Sequence, residues 1–226
     1  MSIVYRASIG LEKLLLRAFT DEWTVTGRKN VPPDGGLIVV PNHISNTDPS
    51  MVATAFPRQV QFMAKDSLFD HPISRWFFNS YGAYPLKRSS IDVGAYRWAR
   101  KLLDAERALV LFPEGTRCVN GLGPGLPGVA RLALATGTPL LPVAVTGTAH
   151  LGPWYRVLYP TGRISVTIGK PFTLPAADGP PSKDAVTRYT QQIMLSIAEL
   201  LPESYRGVYA DSTPATGGGN DTAGST

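Results

Sequence analysis

Short apolar and β-branched runs alternate with stretches of helical periodicity along this chain, and that alternation is the strongest constraint on its fold. Strand-like runs fall at 23–26, 37–41, 60–64, 108–112, 140–146 and 164–168. Helical stretches fall at 49–56, 73–81, 92–105, 128–135 and 183–201. Strands that alternate with helices imply a single α/β domain, a mostly parallel sheet flanked by helices. The last helical stretch carries Val186, Tyr189, Ile193, Met194, Ile197 and Leu201 at helical spacing, an ordinary core face. At 226 residues the chain is long enough to bury a substantial core. Residues 1–20 read as an amphipathic helix, 21–209 as the main domain and 210–226 as a disordered tail. That tail is dominated by Gly, Ser, Thr, Ala and Asp and has no aromatic residue. No internal repeat is visible. Gly and Pro punctuate 121–128, which predicts a loop, read here as a mobile edge of a site.

The second run, Leu37-Ile38-Val39-Val40, leads straight into Pro41-Asn42-His43-Ile44-Ser45-Asn46-Thr47-Asp48-Pro49. An imidazole thus stands at the carboxyl end of a strand, with a carboxylate five residues on to set its tautomer and orientation. A general base needs that pairing. No Gly-x-Ser-x-Gly nucleophile elbow occurs in the chain, so the base is expected to activate a hydroxyl belonging to a substrate. A purely structural reading stands beside it. Asp48-Pro49 is also a good start for a helix, and His43 can be a satisfied polar residue at a strand end.

Two further segments follow. Gly82-Ala83-Tyr84-Pro85-Leu86-Lys87-Arg88 ends in two cations, at what reads as a loop-to-helix junction. Leu111-Phe112-Pro113-Glu114-Gly115-Thr116-Arg117 follows the fourth strand-like run. Arginine offers a planar fork to phosphate oxygens and lysine a point charge. Glu114 beside them suits a ligand hydroxyl, and Gly115 lets the backbone turn tightly against a ligand. Together they describe a ligand with a phosphate and a free hydroxyl, close to a base.

These blocks resemble those of the lysophospholipid and glycerol-phosphate acyltransferases, most closely the 1-acylglycerol-3-phosphate acyltransferases. Their Asn-His-x4-Asp is matched by Asn42, His43 and Asp48, with the frequent serine at Ser45. Gly82, Pro85 and Arg88 match the second block, and 112–117 matches Phe-Pro-Glu-Gly-Thr-Arg without change. The fourth block, an apolar strand with an internal proline, is matched around Pro142. The resemblance spans about 4–209, including Phe62-Met63-Ala64-Lys65 and the closing 200–207. Two departures stand out. The lysine of a common Phe-Lys-x-Gly stretch is absent, the chain reading Gly125-Leu126-Pro127-Gly128, and Cys118 stands where serine is common.

The resemblance implies a glycerol-phosphate acyltransferase-like fold and acyl transfer without a covalent enzyme intermediate. His43 takes the proton of the acceptor hydroxyl while Asp48 holds the imidazole. Lys87, Arg88 and Arg117, with Arg131 in support, are expected to hold the acceptor phosphate, and Glu114, Gly115 and Thr116 to line the glycerol portion. The donor is an acyl thioester, either acyl-CoA or acyl carrier protein, and no further cofactor is expected. The acceptor that the resemblance implies is lysophosphatidate, and the cations favour a phosphorylated one. Other readings are a different lysolipid or glycolipid acceptor, a non-catalytic phospholipid-binding protein, or a hydrolase in which His43 activates water. No metal is expected, since three histidines and one cysteine show no ligand spacing.

A formal charge of +5 suits anionic lipid surfaces and phosphorylated ligands. Nucleic acid would give the same sign, but the cations are dispersed and no basic helix or RNA-binding aromatic signature occurs. The lone Cys118 excludes an internal disulfide, fits a reducing compartment and reads as a packing residue. The uncharged stretch 132–155 is broken by glycines and prolines, so a helix end, a turn and a buried strand are expected there rather than a span. On a helical wheel Arg6, Lys13 and Arg17 oppose Val4, Leu11, Leu15 and Ala18, with Leu14, Leu16 and Phe19 widening the apolar side. Such a helix either lies in the headgroup region of an anionic membrane or packs on the domain with its cations in water. It is too short and too charged for a signal peptide or a span. A peripheral protein on the cytoplasmic face of a membrane is therefore expected. Trp76, Phe77 and Phe78 are read as core residues or as a lipid-facing surface.

Overall fold

The computed structural model describes residues 2–87, 92–175 and 181–212. One seven-stranded sheet, ordered β1-β7-β6-β2-β5-β3-β4, organises the chain. Its strands are β1 (Glu22–Thr26), β2 (Leu37–Pro41), β3 (Val60–Lys65), β4 (Ala83–Leu86), β5 (Ala108–Val110), β6 (Leu140–Thr146) and β7 (Arg163–Ile168). Every neighbouring pair is parallel except β6 with β7. The helices are α1 (Ile3–Phe19), α2 (Asp48–Ala55), α3 (Pro72–Tyr81), α4 (Val93–Asp104), α5 (Gly128–Thr136) and α6 (Lys183–Ala198).

The central strand shows why the layers form. All five residues of β2 are buried, and their side chains alternate between two cores. Leu37 and Val39 join one core with Met51, Val52 and Ala55 of α2, and with Tyr5 and Leu16 of α1. Ile38 and Val40 join the other with Ala99 and Leu103 of α4, Ala130 and Ala133 of α5, and Ile193 and Ile197 of α6. A strand read as continuously apolar is one covered by helices on both faces.

Helix ends follow local chemistry. Ser2, His71, Asp92 and Ser182 each accept a backbone N–H at the start of α1, α3, α4 and α6. Gly82, at φ +99°, takes the left-handed conformation that ends α3.

Three differences from the sequence reading have physical causes. The segment read as a loop-to-helix junction contains strand β4, which hides in a sequence scan because it is four residues long and holds Pro85. A proline is tolerated there because β4 is an edge strand. Strand β5 ends at Val110 rather than Phe112, because Phe112 already accepts from the Gly115 N–H in a turn. Finally, a 3-10 helix at Gly207–Ser212 carries ordered backbone into the first residues of the expected tail; 213–226 lie outside the described residues. The uncharged stretch at 132–155 forms the end of α5, a turn, β6 and short 3-10 helices. Among the described residues no helix is long and apolar enough to cross a membrane.

Candidate active site

The carboxyl ends of β2, β5 and β6 lie side by side at the middle of the sheet, where open α/β sheets form their binding crevices. His43 follows β2, Glu114 follows β5 and Thr148 follows β6. The fold thereby converges three segments that are about 70 and 30 residues apart in sequence, as the crevice rule anticipates for such a sheet.

His43 Nδ1 lies 2.9 Å from Asp48 Oδ2. That oxygen also accepts the backbone N–H groups of Ile44 and Ser45, each at 2.7 Å. The other, Oδ1, accepts the Thr148 hydroxyl at 2.6 Å. Asp48 is fully buried at the first position of α2, so it serves the helix start and the imidazole together. The structural and functional readings of this residue are compatible. With Nδ1 donating to the carboxylate, Nε2 is the imidazole atom left to accept a proton. Phe112 packs on the imidazole, ring centroids 4.1 Å apart, and the His43 side chain is only 12% exposed.

Glu114 plays a part that spacing alone did not show. Expected beside a ligand's glycerol portion, it is buried and directs both oxygens inward. Oε2 accepts the His43 backbone N–H at 2.6 Å and Oε1 the Gly123 N–H at 2.9 Å. The Cys118 N–H donates to the His43 carbonyl at 2.7 Å, so the backbone of His43 is held from both sides. Burial raises the Glu114 pKa, partly offset by the amides of Gly123 and His43. Burial and the neighbouring Glu114 push the Cys118 thiol up to about 11, which leaves it unreactive near neutrality.

Asn42 is fixed in turn. Its side-chain amide exchanges two hydrogen bonds with the Val145 backbone, at 2.9 and 2.7 Å, and so ties the start of the His43 loop to β6. Gly115 has φ +68°, and a Cβ there would overlap the Leu126 side chain. The glycine-rich loop read as a mobile edge is pinned instead. Leu122 pairs with Tyr205 and Val208, Gly123 with Glu114, Gly125 with the Tyr209 hydroxyl, and Leu126 with the Pro113 carbonyl. Its amides needed partners, and the C-terminal 3-10 helices supply two of them, to Leu122 and Gly125.

The candidate phosphate-holding cations are not drawn into this network. Lys87, at the carboxyl end of β4, and Arg117 and Arg131, after β5, are exposed, as is Thr116. Arg88 lies outside the described residues. Thr148 was missed by sequence reading. No motif marks it, and only the pairing of β2 with β6 brings it to Asp48. Among the described residues no group of three or more His, Cys, Asp or Glu side chains is placed to hold a metal ion.

A family model described as Acyltransferase matches residues 22–146, more than half of the chain and the part that holds His43, Asp48 and Glu114. The chain belongs to the acyltransferase family. A 1-acyl-sn-glycerol-3-phosphate acyltransferase of Streptococcus pneumoniae is 29% identical over 73% of this chain and 61% of its own length. One of Bacillus subtilis is 26% identical over 78% of this chain and 86% of its own. The crystal structure of the 1-acyl-sn-glycerophosphate acyltransferase of Thermotoga maritima is 29% identical and superposes with a TM-score of 0.63. It covers 82% of this acyltransferase chain, which in turn covers 76% of it. The chain therefore spans less than two thirds of the Streptococcus relative and most of the other two proteins.

Proposed function

We propose that this acyltransferase moves a fatty acyl group from acyl-CoA or acyl carrier protein to the free hydroxyl of 1-acylglycerol-3-phosphate, giving phosphatidate for phospholipid synthesis. The observation that carries the reading is the His43–Asp48 pair, held with Nδ1 engaged at 2.9 Å and no serine or cysteine nucleophile hydrogen-bonded to the imidazole among the described residues. The names of the relatives above support the acceptor. His43 Nε2 takes the acceptor hydroxyl's proton as its oxygen attacks the thioester carbonyl. Collapse of the tetrahedral intermediate breaks the carbon–sulfur bond, and the leaving thiolate takes the proton back from His43. Asp48 stabilises the imidazolium between these two steps. Lys87, Arg88, Arg117 and Arg131 supply charge for the acceptor phosphate, and Gly115 and Thr116 border its glycerol.

We also propose peripheral attachment to an anionic membrane, on its cytoplasmic face, through α1. That helix packs Tyr5 and Leu16 into the core and exposes Ile3, Leu11 and Leu14 beside Arg6, Lys13 and Arg17. The inner face packs on the domain, and the membrane reading is proposed for the exposed one.

The test is thiol release from acyl-CoA and from acyl carrier protein, with and without lysophosphatidate, for the parent and His43→Ala. We expect acceptor-dependent release in the parent and a drop of about 10²–10⁴-fold in the variant. Release of free fatty acid without transfer would mean a hydrolase. Lipid binding without turnover in the parent would mean a binding protein, and turnover only with another lysolipid would change the acceptor.

A further inference from the structure

After β6 the chain makes two short 3-10 turns, Ala149–Leu151 and Trp154–Leu158, before β7 begins. The base of this segment is firmly built. Leu151 is fully buried, and His150 and Arg156 both bond Thr161, the latter through Nη2 at 2.8 Å. Its tip is the opposite. Trp154 is 70% exposed, and Tyr155, Leu158 and Tyr159 are exposed with it. Large aromatic side chains turned outward from a well-anchored backbone mark an interaction surface rather than an unfinished core.

We propose that residues 154–159 form a second contact with an anionic phospholipid bilayer, built onto the wall of the site. Three observations select a lipid surface over other occupants. First, the composition is that of a headgroup-level belt, since Trp and Tyr combine an apolar ring with a polar edge. Second, the charge is complementary. Residues 148–163 carry Arg156 and Arg163 and no carboxylate, and the Arg156 guanidinium stands 5.4 Å over the Tyr159 ring. Arg6, Lys13 and Arg17 on α1 add to that charge; the exposed carboxylates nearby in the chain are Asp21 and Glu22. Third, the segment is continuous with the helix proposed above to meet the membrane, the rings of Phe19 and Tyr159 meeting at 4.7 Å.

The segment is also fastened to the His43 loop at two points. Asn46 Nδ2 donates to the Gly152 carbonyl at 2.7 Å, and Thr148 donates to Asp48. A bilayer seated on 154–159 would therefore present lipid beside the site that is to act on it. This last step rests on the lipid-acceptor reading; the contact itself rests on the exposed rings and the charge, and on the proposed α1 attachment only through the Phe19–Tyr159 contact.

The test uses the full chain and sedimentation with vesicles of phosphatidylcholine, with and without phosphatidylglycerol. Trp154→Ser combined with Leu158→Ser removes exposed side chains only, so thermal unfolding should be unchanged. We expect vesicle partitioning to fall about tenfold or more while α1 is intact, as lost apolar insertion requires. Arg156→Gln should selectively lower the preference for phosphatidylglycerol. Partitioning within twofold of the parent would overturn the proposal and leave α1 as sole attachment. So would self-association of the parent that the double variant abolishes with lipid binding intact, since a second copy would then own the surface. Turnover of a short-chain, monomeric lysophosphatidate should be unaffected by the double variant. Absence of that turnover in the parent would count against the acyl-transfer reading, while the vesicle result would still decide this one.

Discussion

Thr148 shows how much of a site can rest on a residue without a motif. Its hydroxyl is the side-chain donor to Asp48 Oδ1, at 2.6 Å in a fully buried position. Thr148→Val keeps the shape and leaves that carboxylate oxygen without its donor, which costs about 1–3 kcal/mol. We expect turnover to fall roughly tenfold with little change in acceptor KM, and Thr148→Ser to restore it, as steady-state kinetics would show. A change in KM alone would argue against this positioning role. Glu114 is a stricter case. Both its oxygens accept backbone N–H groups, so an amide nitrogen in Glu114→Gln must face one of two donors. The variant should lose about 1–3 kcal/mol of stability, read from denaturant unfolding, and lose activity because the His43 backbone shifts. A variant as stable as the parent would mean that the His43 loop does not depend on Glu114.

Helix α1 carries the most unusual buried group. Glu12 faces inward, is almost inaccessible to water, and has one oxygen without a hydrogen-bond partner among the described residues. Burial raises its pKa from 4.5 to about 7, with Ser50 of α2 offsetting a smaller part. The Glu12 carboxyl therefore favours the folded state when protonated. Its contribution is full below about 4.5 and is lost as pH rises through about 7. At pH 8 the parent should be less stable than at pH 5 by an amount on the order of 2 kcal/mol, from this group alone. In Glu12→Gln that loss should disappear, as paired urea titrations at the two pH values would show. An unchanged pH dependence would place the sensitive group elsewhere. The same helix explains why its sequence supported two readings. A wheel marks which residues are apolar, but Leu16 is inside and Leu14 outside, and only the positions of α2 and α3 decide which.

At the scale of the molecule, α1 is part of the domain rather than an appendage. Deleting residues 1–19 would uncover the partners of Tyr5 and Leu16, costing roughly 4 kcal/mol from those two side chains. We expect a clear drop in the urea midpoint of such a truncation. An unchanged midpoint would show that the rest of the chain folds without α1. Membrane tests therefore belong on the exposed residues of α1, such as Leu11→Ser with Leu14→Ser, rather than on its removal. The C-terminal 3-10 helices have a comparable place, since Tyr205 and Tyr209 take up amides of the loop that carries Gly123 to Glu114.

Much of this molecule was legible before folding, for reasons that are local. Apolar runs of strand length, helix periodicity and capping residues depend on near neighbours, so among the described residues six of the seven strands and all six α-helices were visible; β4 was not, being short, proline-bearing and at an edge. The His43–Asp48 pair was visible too, because five residues of loop and one helix start bring the two together. What tertiary structure alone decided is whatever depends on strand order. The pairing of β2 with β5 and β6 puts Glu114 under the His43 backbone, Thr148 against Asp48, and Asn42 across to Val145. Between β6 and β7 the chain leaves the aromatic tip at 154–159 exposed, while Gly152 at its base accepts from Asn46 of the His43 loop. Those contacts join residues up to about 100 positions apart, where neither periodicity nor local spacing carries a signal and only the closing of the sheet fixes the distance.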